Sequence, residues 1–130
     1  MSTILIADDE ARIRRLVSDF LKRDGHTILE AADGKAALEL IENRRPTLDL
    51  AILDVMMPGM DGYEATRAIR LSKKADAADI PIIALTANAF AEDAKAAHDA
   101  GMNAHLSKPL DFNKLKNILA RIKKNGSVSL

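Results

Sequence analysis

The sequence predicts an α/β fold: a doubly wound sheet of five parallel strands with five helices covering its two faces. Three observations predict it. Short apolar runs alternate five times with helix-period segments along the 130 residues. The clearest runs are apolar at consecutive positions and contain β-branched residues, the pattern of strands buried on both faces. Right-handed crossovers between parallel strands then limit the topology to a doubly wound sheet.

The first strand is TILIA at 3–7, and a helix follows with Ile13, Leu16, Val17, Phe20 and Leu21 on one stripe. Gly25 stands where a helix end requires positive φ. HTILEA at 26–31 is a more polar second strand, suited to a sheet edge. Asp33 is placed to cap a helix carrying Ala37, Leu38, Leu40 and Ile41. LDLAILD at 48–54 is the third strand, and a helix is predicted over Tyr63–Lys73 before the polar connector SKKADAAD. IPIIALT at 80–86 is the fourth strand, with its proline at the start, where a missing N–H is tolerated. An alanine-rich helix spans Ala91–Ala100 and stops at Gly101. NAHLS at 103–107 is the short fifth strand, and Leu115, Ile118, Leu119 and Ile122 mark the last helix.

Composition narrows the function. Apolar residues make up 48% and charged residues 29%, the proportions of a soluble globular domain. Nineteen basic residues balance 19 acidic ones, so no net field draws the chain to nucleic acid or an anionic membrane. The absence of cysteine excludes disulfides, thiolate metal sites and cysteine nucleophiles. The opening MSTILIADDE has no basic leader region, and the longest uncharged run, Ile80–Ala91, is 12 residues against the roughly 20 of a membrane helix. A single cytoplasmic domain, monomeric, without nucleic-acid or membrane partners, is expected.

Ligands in such sheets bind beyond the carboxyl ends of the strands. There the first strand ends in Asp8-Asp9-Glu10, the third in Asp54, the fourth in Thr86 and the fifth in Lys108-Pro109. Parallel strands bring these groups together. Crowded carboxylates need a cation, and an oxygen-only donor set suits a hard one such as Mg²⁺ retaining waters. A metal beside an aspartate, with a lysine and a hydroxyl opposite, is suited to stabilising phosphoryl oxygens, with Asp54 as nucleophile.

The motifs ADDE (7–10), LDVMMPGMDG (53–62), ALTA (84–87) and SKP (107–109) stand in one register. Together they resemble the receiver domain of two-component response regulators, over about residues 3–124. In style the chain is nearest to receivers of phosphorelays and hybrid histidine kinases. The resemblance implies a flavodoxin-like (CheY-like) fold with strand order 2-1-3-4-5, residues 1–124 as the domain and 125–130 as a tail. It implies Asp54 as phosphoacceptor, and Mg²⁺ held by Asp9, Asp54 and the Met56 carbonyl, with Asp8 acting through water. Thr86 would move to the phosphoryl group and Lys108 would pair with it, the Lys108–Pro109 bond being typically cis. A histidine kinase or phosphotransfer protein would be the donor and a downstream protein the output partner. Such a domain is not an enzyme with an external product, though it assists its own phosphorylation and dephosphorylation. Thr86, His105 and Pro109 form the implied switch and output set. His105 stands where the family commonly has an aromatic, which is the clearest departure from the pattern. Met56 and Asn88 would flank the path of attacking water.

Each residue also has a plainer reading. Asp8 and Asp9 could cap the first helix, Asp54 could open a loop, Thr86 could be a strand former and Lys108 a surface lysine. The methionines at 56, 57 and 60 read as packing and rim residues, and Asp61-Gly62 as a helix start. Lys114, Lys116, Arg121, Lys123 and Lys124 read as a solvated face, and the three histidines do not form a metal cluster. A phosphohydrolase using a nucleophilic Asp would need a second carboxylate two residues on, where Met56 stands. A nucleotide-binding module would need a glycine-rich phosphate cradle, and neither GxGxxG nor a Walker A pattern occurs. With little chain beyond the last helix for an effector, a stand-alone regulator or a hybrid-kinase receiver is expected, the opening Met-Ser-Thr favouring the former.

Overall fold

The computed structural model describes residues 2–43, 48–72, 79–87, 91–108 and 110–125. In chain order they form β1 (Thr3–Ala7), α1 (Ala11–Arg23), β2 (Thr27–Ala31), α2 (Gly34–Asn43), β3 (Leu50–Asp54), α3 (Gly62–Arg70), β4 (Ile82–Thr86), α4 (Ala91–Ala100), β5 (Ala104–Ser107) and α5 (Phe112–Asn125). All pairings are parallel and the sheet order is β2-β1-β3-β4-β5, as expected. Pro109, Asn88, most of the connector and residues 126–130 lie outside the described residues.

Successive strand residues feed opposite faces. Leu5, Leu53, Ile82 and Ala84 pack with Ala37, Ile41, Ala65, Ile69 and Ala97, which lays α2, α3 and α4 on one face. Ile4, Ile6, Ile52, Ile83 and Leu106 pack with Val17, Leu21, Leu115 and Ile118, which lays α1 and α5 on the other. Phe20 of α1 stacks on Phe112 of α5 with ring centroids 4.5 Å apart. At about 1.5–3 kcal/mol for each large side chain buried, the strand interiors have no room for charge. Polar groups therefore collect at their ends. The edge strand β2 is the exception, exposing Thr27 and Glu30.

Several boundaries differ from the sequence expectation, each for a local reason. The third helix starts at Gly62 because Asp61 and Glu64 form a capping box, and it ends at Arg70 rather than Lys73. β3 starts at Leu50 rather than Leu48, since Asp49 spends its side chain on the Thr3 N–H at 2.8 Å. β4 starts at Ile82 because Pro81 has no N–H to give. β2 and β5 each start one residue late, at Thr27 and Ala104. Leu16, placed on the buried stripe of the first helix, is 48% exposed. The expected roles of Asp33 and Gly25 hold: Asp33 Oδ1 accepts from the Ala36 N–H at 2.8 Å, and Gly25 has φ of 89°.

The amino ends of β4 and β5 are tied by one side chain. Arg70 Nη1 donates to the Ile80 carbonyl at 2.6 Å, while its Nε and Nη2 reach the Gly101 carbonyl at 2.9 and 2.7 Å. Its Nη2 also donates to Asn103 Oδ1 at 2.8 Å, and that oxygen accepts from the Ile82 N–H at 2.9 Å.

Candidate functional site

The site lies at the opposite, carboxyl end of the sheet. Asp8 is the first residue past β1, anchored by its N–H on the Ala31 carbonyl at 3.2 Å. Its side chain is fully buried, and Oδ1 accepts from the Glu10 N–H at 2.9 Å. Neither Asp8 nor Asp9 caps α1, whose N-cap is Glu10 without a side-chain cap bond. The capping alternative is therefore excluded. Asp9 is exposed beside its buried neighbour.

Asp54 is the last residue of β3 and is buried. Its Oδ1 accepts from the Met56 N–H at 3.1 Å. The chain then turns through Gly59, with φ of 73°, and returns to place Gly62 against the Asp54 backbone. A Cβ at Gly62 would lie 2.5 Å from the Asp54 carbonyl oxygen, so only glycine fits that return. This geometry explains why the strand ends in a charge followed at once by a tight turn. The turn presents the carboxylate while closing the loop beneath it.

Lys108, just past β5, supplies the cation. Its Nζ lies 3.2 Å from Asp54 Oδ2, 3.2 Å from Asp8 Oδ2 and 3.8 Å from Glu10 Oε1. Thr86, the buried last residue of β4, accepts the Lys108 N–H on its carbonyl at 2.8 Å. Burial and the Asp8 charge raise the Asp54 pKa from 3.8 to about 6, against the opposing pull of Lys108. Burial lowers the lysine pKa, but Asp54 and Asp8 together outweigh it and hold the ammonium above its ordinary value. The pocket therefore has more negative charge than one lysine compensates.

One carboxylate oxygen from each of Asp8, Asp9 and Asp54 lies within 4.8 Å of the other two. Asp8 Oδ2 is buried and, among the described residues, has no aligned hydrogen-bond donor. Lys108 Nζ is the charged neighbour of that oxygen at 3.2 Å, and an all-oxygen set of three carboxylates beside one ammonium fits a hard divalent cation. Met56 contributes its N–H to Asp54, while its side chain is 72% exposed at the rim.

His105 alternates with Ala104 and Leu106, which pack toward α1 and α5. It therefore points to the face that carries α4, half-buried, with Nδ1 buried and without a hydrogen-bond partner among the described residues. Two contacts were absent from the sequence reading. Glu10 approaches Lys108, and Arg14 Nη1 donates to the Asp8 carbonyl at 2.7 Å. The signal for Arg14 lies in its position: a first-turn helical side chain leans back over the helix N-terminus, here toward Asp8.

Known proteins place this arrangement in a class. The family model described as "Response regulator receiver domain" matches residues 4–120. Response regulator MprA of Mycobacterium sp. (strain KMS) is 38% identical over 120 residues, 92% of this chain and 48% of that protein. Sensor histidine kinase RcsC of Salmonella typhi is 38% identical over 117 residues, 90% of this chain and 12% of the kinase. The chain thus spans about half of that regulator and a small part of the kinase. Among solved structures, the Vibrio cholerae chemotaxis protein CheY4 superposes with a TM-score of 0.85 at 33% identity, covering 94% of this chain and 98% of its own. The receiver domain of sensor histidine kinase PA1611 from Pseudomonas aeruginosa PAO1 gives 0.82 at 36% identity, with 92% and 95% covered. That structure holds a magnesium ion in its active-site cleft. The chain belongs to the response regulator receiver domain family, a phosphoacceptor switch of two-component signalling. Among the described residues, no helix is long and apolar enough to cross a membrane.

Proposed function

We propose that residues 1–124 form a phosphorylation switch in which Asp54 accepts a phosphoryl group from a phosphohistidine of a kinase or phosphotransfer protein. An Asp54 carboxylate oxygen attacks phosphorus; the P–N bond breaks and its electron pair stays on the leaving imidazole. The observation that carries this reading is the bridge of Lys108 Nζ to Asp54 and Asp8 at 3.2 Å each, beside a third carboxylate. Asp8, Asp9, Asp54 and the Met56 carbonyl would hold Mg²⁺, which when bound neutralises the phosphoryl oxygens and the carboxylates they approach. The Met56 N–H engages Asp54 Oδ1, so attack falls to Oδ2 once its partner Lys108 turns to the incoming phosphoryl group. Lys108 moves from carboxylate to phosphoryl oxygen, and Thr86, tied to Lys108 through its carbonyl, bonds the same group through its hydroxyl. The same pocket assists later hydrolysis of the acyl phosphate. His105, on the α4 face, and Pro109 carry the change to an output surface for a downstream protein.

The test is labelling by acetyl phosphate with Mg²⁺ present. The wild type is expected to take up one phosphoryl group and Asp54→Asn none; labelling of the variant at the wild-type rate overturns the reading. Chelating the metal is expected to stop labelling as well.

A further inference from the structure

Asp8 lies with its Oδ2 3.2 Å from the Lys108 ammonium. Its N–H is fixed to β2 and its Oδ1 to the Glu10 N–H, yet its carbonyl has left the strand ladder. Arg14 meets that carbonyl with Nη1 at 2.7 Å, and its Nε donates to Glu30 Oε1 at 3.1 Å. Glu30 stands on the edge strand in register with Ile6 of β1. One planar guanidinium thus joins α1, the end of β1 and β2 through two donors of fixed relative direction. The Arg14 side chain is 19% exposed and that of Glu30 is 40% exposed. A pair so open to solvent adds little to stability. Its placement is more informative: among the described residues the guanidinium binds the Asp8 backbone and Glu30, and is not hydrogen-bonded to the Asp8, Asp9 or Asp54 carboxylates.

We propose that Arg14, oriented by Glu30, is a positioning residue that fixes the Asp8 backbone and thereby the spacing of Asp8 and Asp9 for a divalent cation. The proposal rests on the reading of Asp8, Asp9 and Asp54 as a cation site. Releasing the carbonyl frees the β1–α1 loop, so the acid oxygens must be reordered each time a cation binds, and affinity falls. Outer partners of metal ligands commonly act in this way.

The experiment is an amide chemical-shift titration of the full chain with MgCl₂ alone, paired with thermal unfolding in metal-free buffer. Arg14→Met is expected to weaken Mg²⁺ binding about tenfold. Arg14→Lys, whose single ammonium cannot serve both partners, should fall between it and the wild type. Glu30→Met, which removes the acceptor of the Arg14 Nε–H, should weaken binding several-fold, less than Arg14→Met does. A purely structural role would lower the unfolding temperature and leave Mg²⁺ affinity alone. Folded Arg14→Met with wild-type affinity overturns the proposal. If that variant does not fold, wild-type affinity in Glu30→Met overturns it instead. A wild type whose Asp8, Asp9 and Asp54 amides do not respond to MgCl₂ overturns the cation-site reading, and the proposal with it.

Discussion

The Lys108 N–H donates to the Thr86 carbonyl at 2.8 Å, so the ammonium that reaches Asp54 and the residue that ends β4 share one backbone link. Neither can be displaced far without disturbing the other. A change at Asp54 is expected to reach both through one hydrogen bond and one ion pair.

The raised Asp54 pKa makes the metal-free protein sensitive to pH in a definite direction. Burial first, and Asp8 second, lift it from 3.8 to about 6. The folded state therefore keeps a proton that the unfolded chain releases between about pH 4 and pH 6. This stability is fully present below about pH 4 and is lost as pH rises through about 6. Asp54→Asn, neutral at every pH, is expected to raise the melting temperature without Mg²⁺ at pH 7.5 and to give no gain at pH 4. An equal or lower melting temperature at pH 7.5 contradicts this.

Met56 sets the expected lifetime of the phosphorylated form. Its apolar side chain, 72% exposed at the pocket rim, cannot orient a water for attack. Met56→Asn is expected to lose its phosphoryl group several times faster after the donor is removed. Equal or slower decay in the variant refutes the role.

Gly62 supports the loop that presents Asp54. A methyl group there meets the Asp54 carbonyl oxygen at 2.5 Å and the Val55 Cα at 3.0 Å, both backbone atoms unable to swing aside. Gly62→Ala is expected to cost about 1–3 kcal/mol in urea unfolding and to slow labelling. An unchanged midpoint shows that the loop has room to relax.

The output face has a spectroscopic test. Beryllofluoride, an acyl-phosphate mimic, is expected with Mg²⁺ to shift amide resonances around Asp54 and also around His105 and α4. Shifts confined to the pocket exclude His105 as a route for the signal.

Much of this was legible from the order of residues. Consecutive apolar runs ending in Asp8, Asp54, Thr86 and Lys108 located both the sheet and its working end, because parallel strands leave no other place for buried charge. Boundaries were less legible where side chains replace backbone partners. Asn103 Oδ1 takes the Ile82 N–H, Asp49 takes the Thr3 N–H, and both strands begin later than their apolar runs. Leu16 misled because helical period alone does not give the width of the covered stripe. Arg14 and Arg70 were missed for a different reason. Arg70 acts on carbonyls 10 and 31 residues away, which no local pattern marks, and Arg14, only six residues from Asp8, is signalled by nothing but its place in the first helical turn.

The Arg70 ties have a mechanical consequence. They fasten the C-terminal end of α4 and the beginnings of β4 and β5 to one guanidinium, on the side of the sheet away from Asp54. A layer anchored at one end does not slide; it swings. If phosphorylation displaces Thr86 as proposed, these ties predict a rotation about Arg70, with the least travel at Gly101. The far end of the domain serves as its fulcrum.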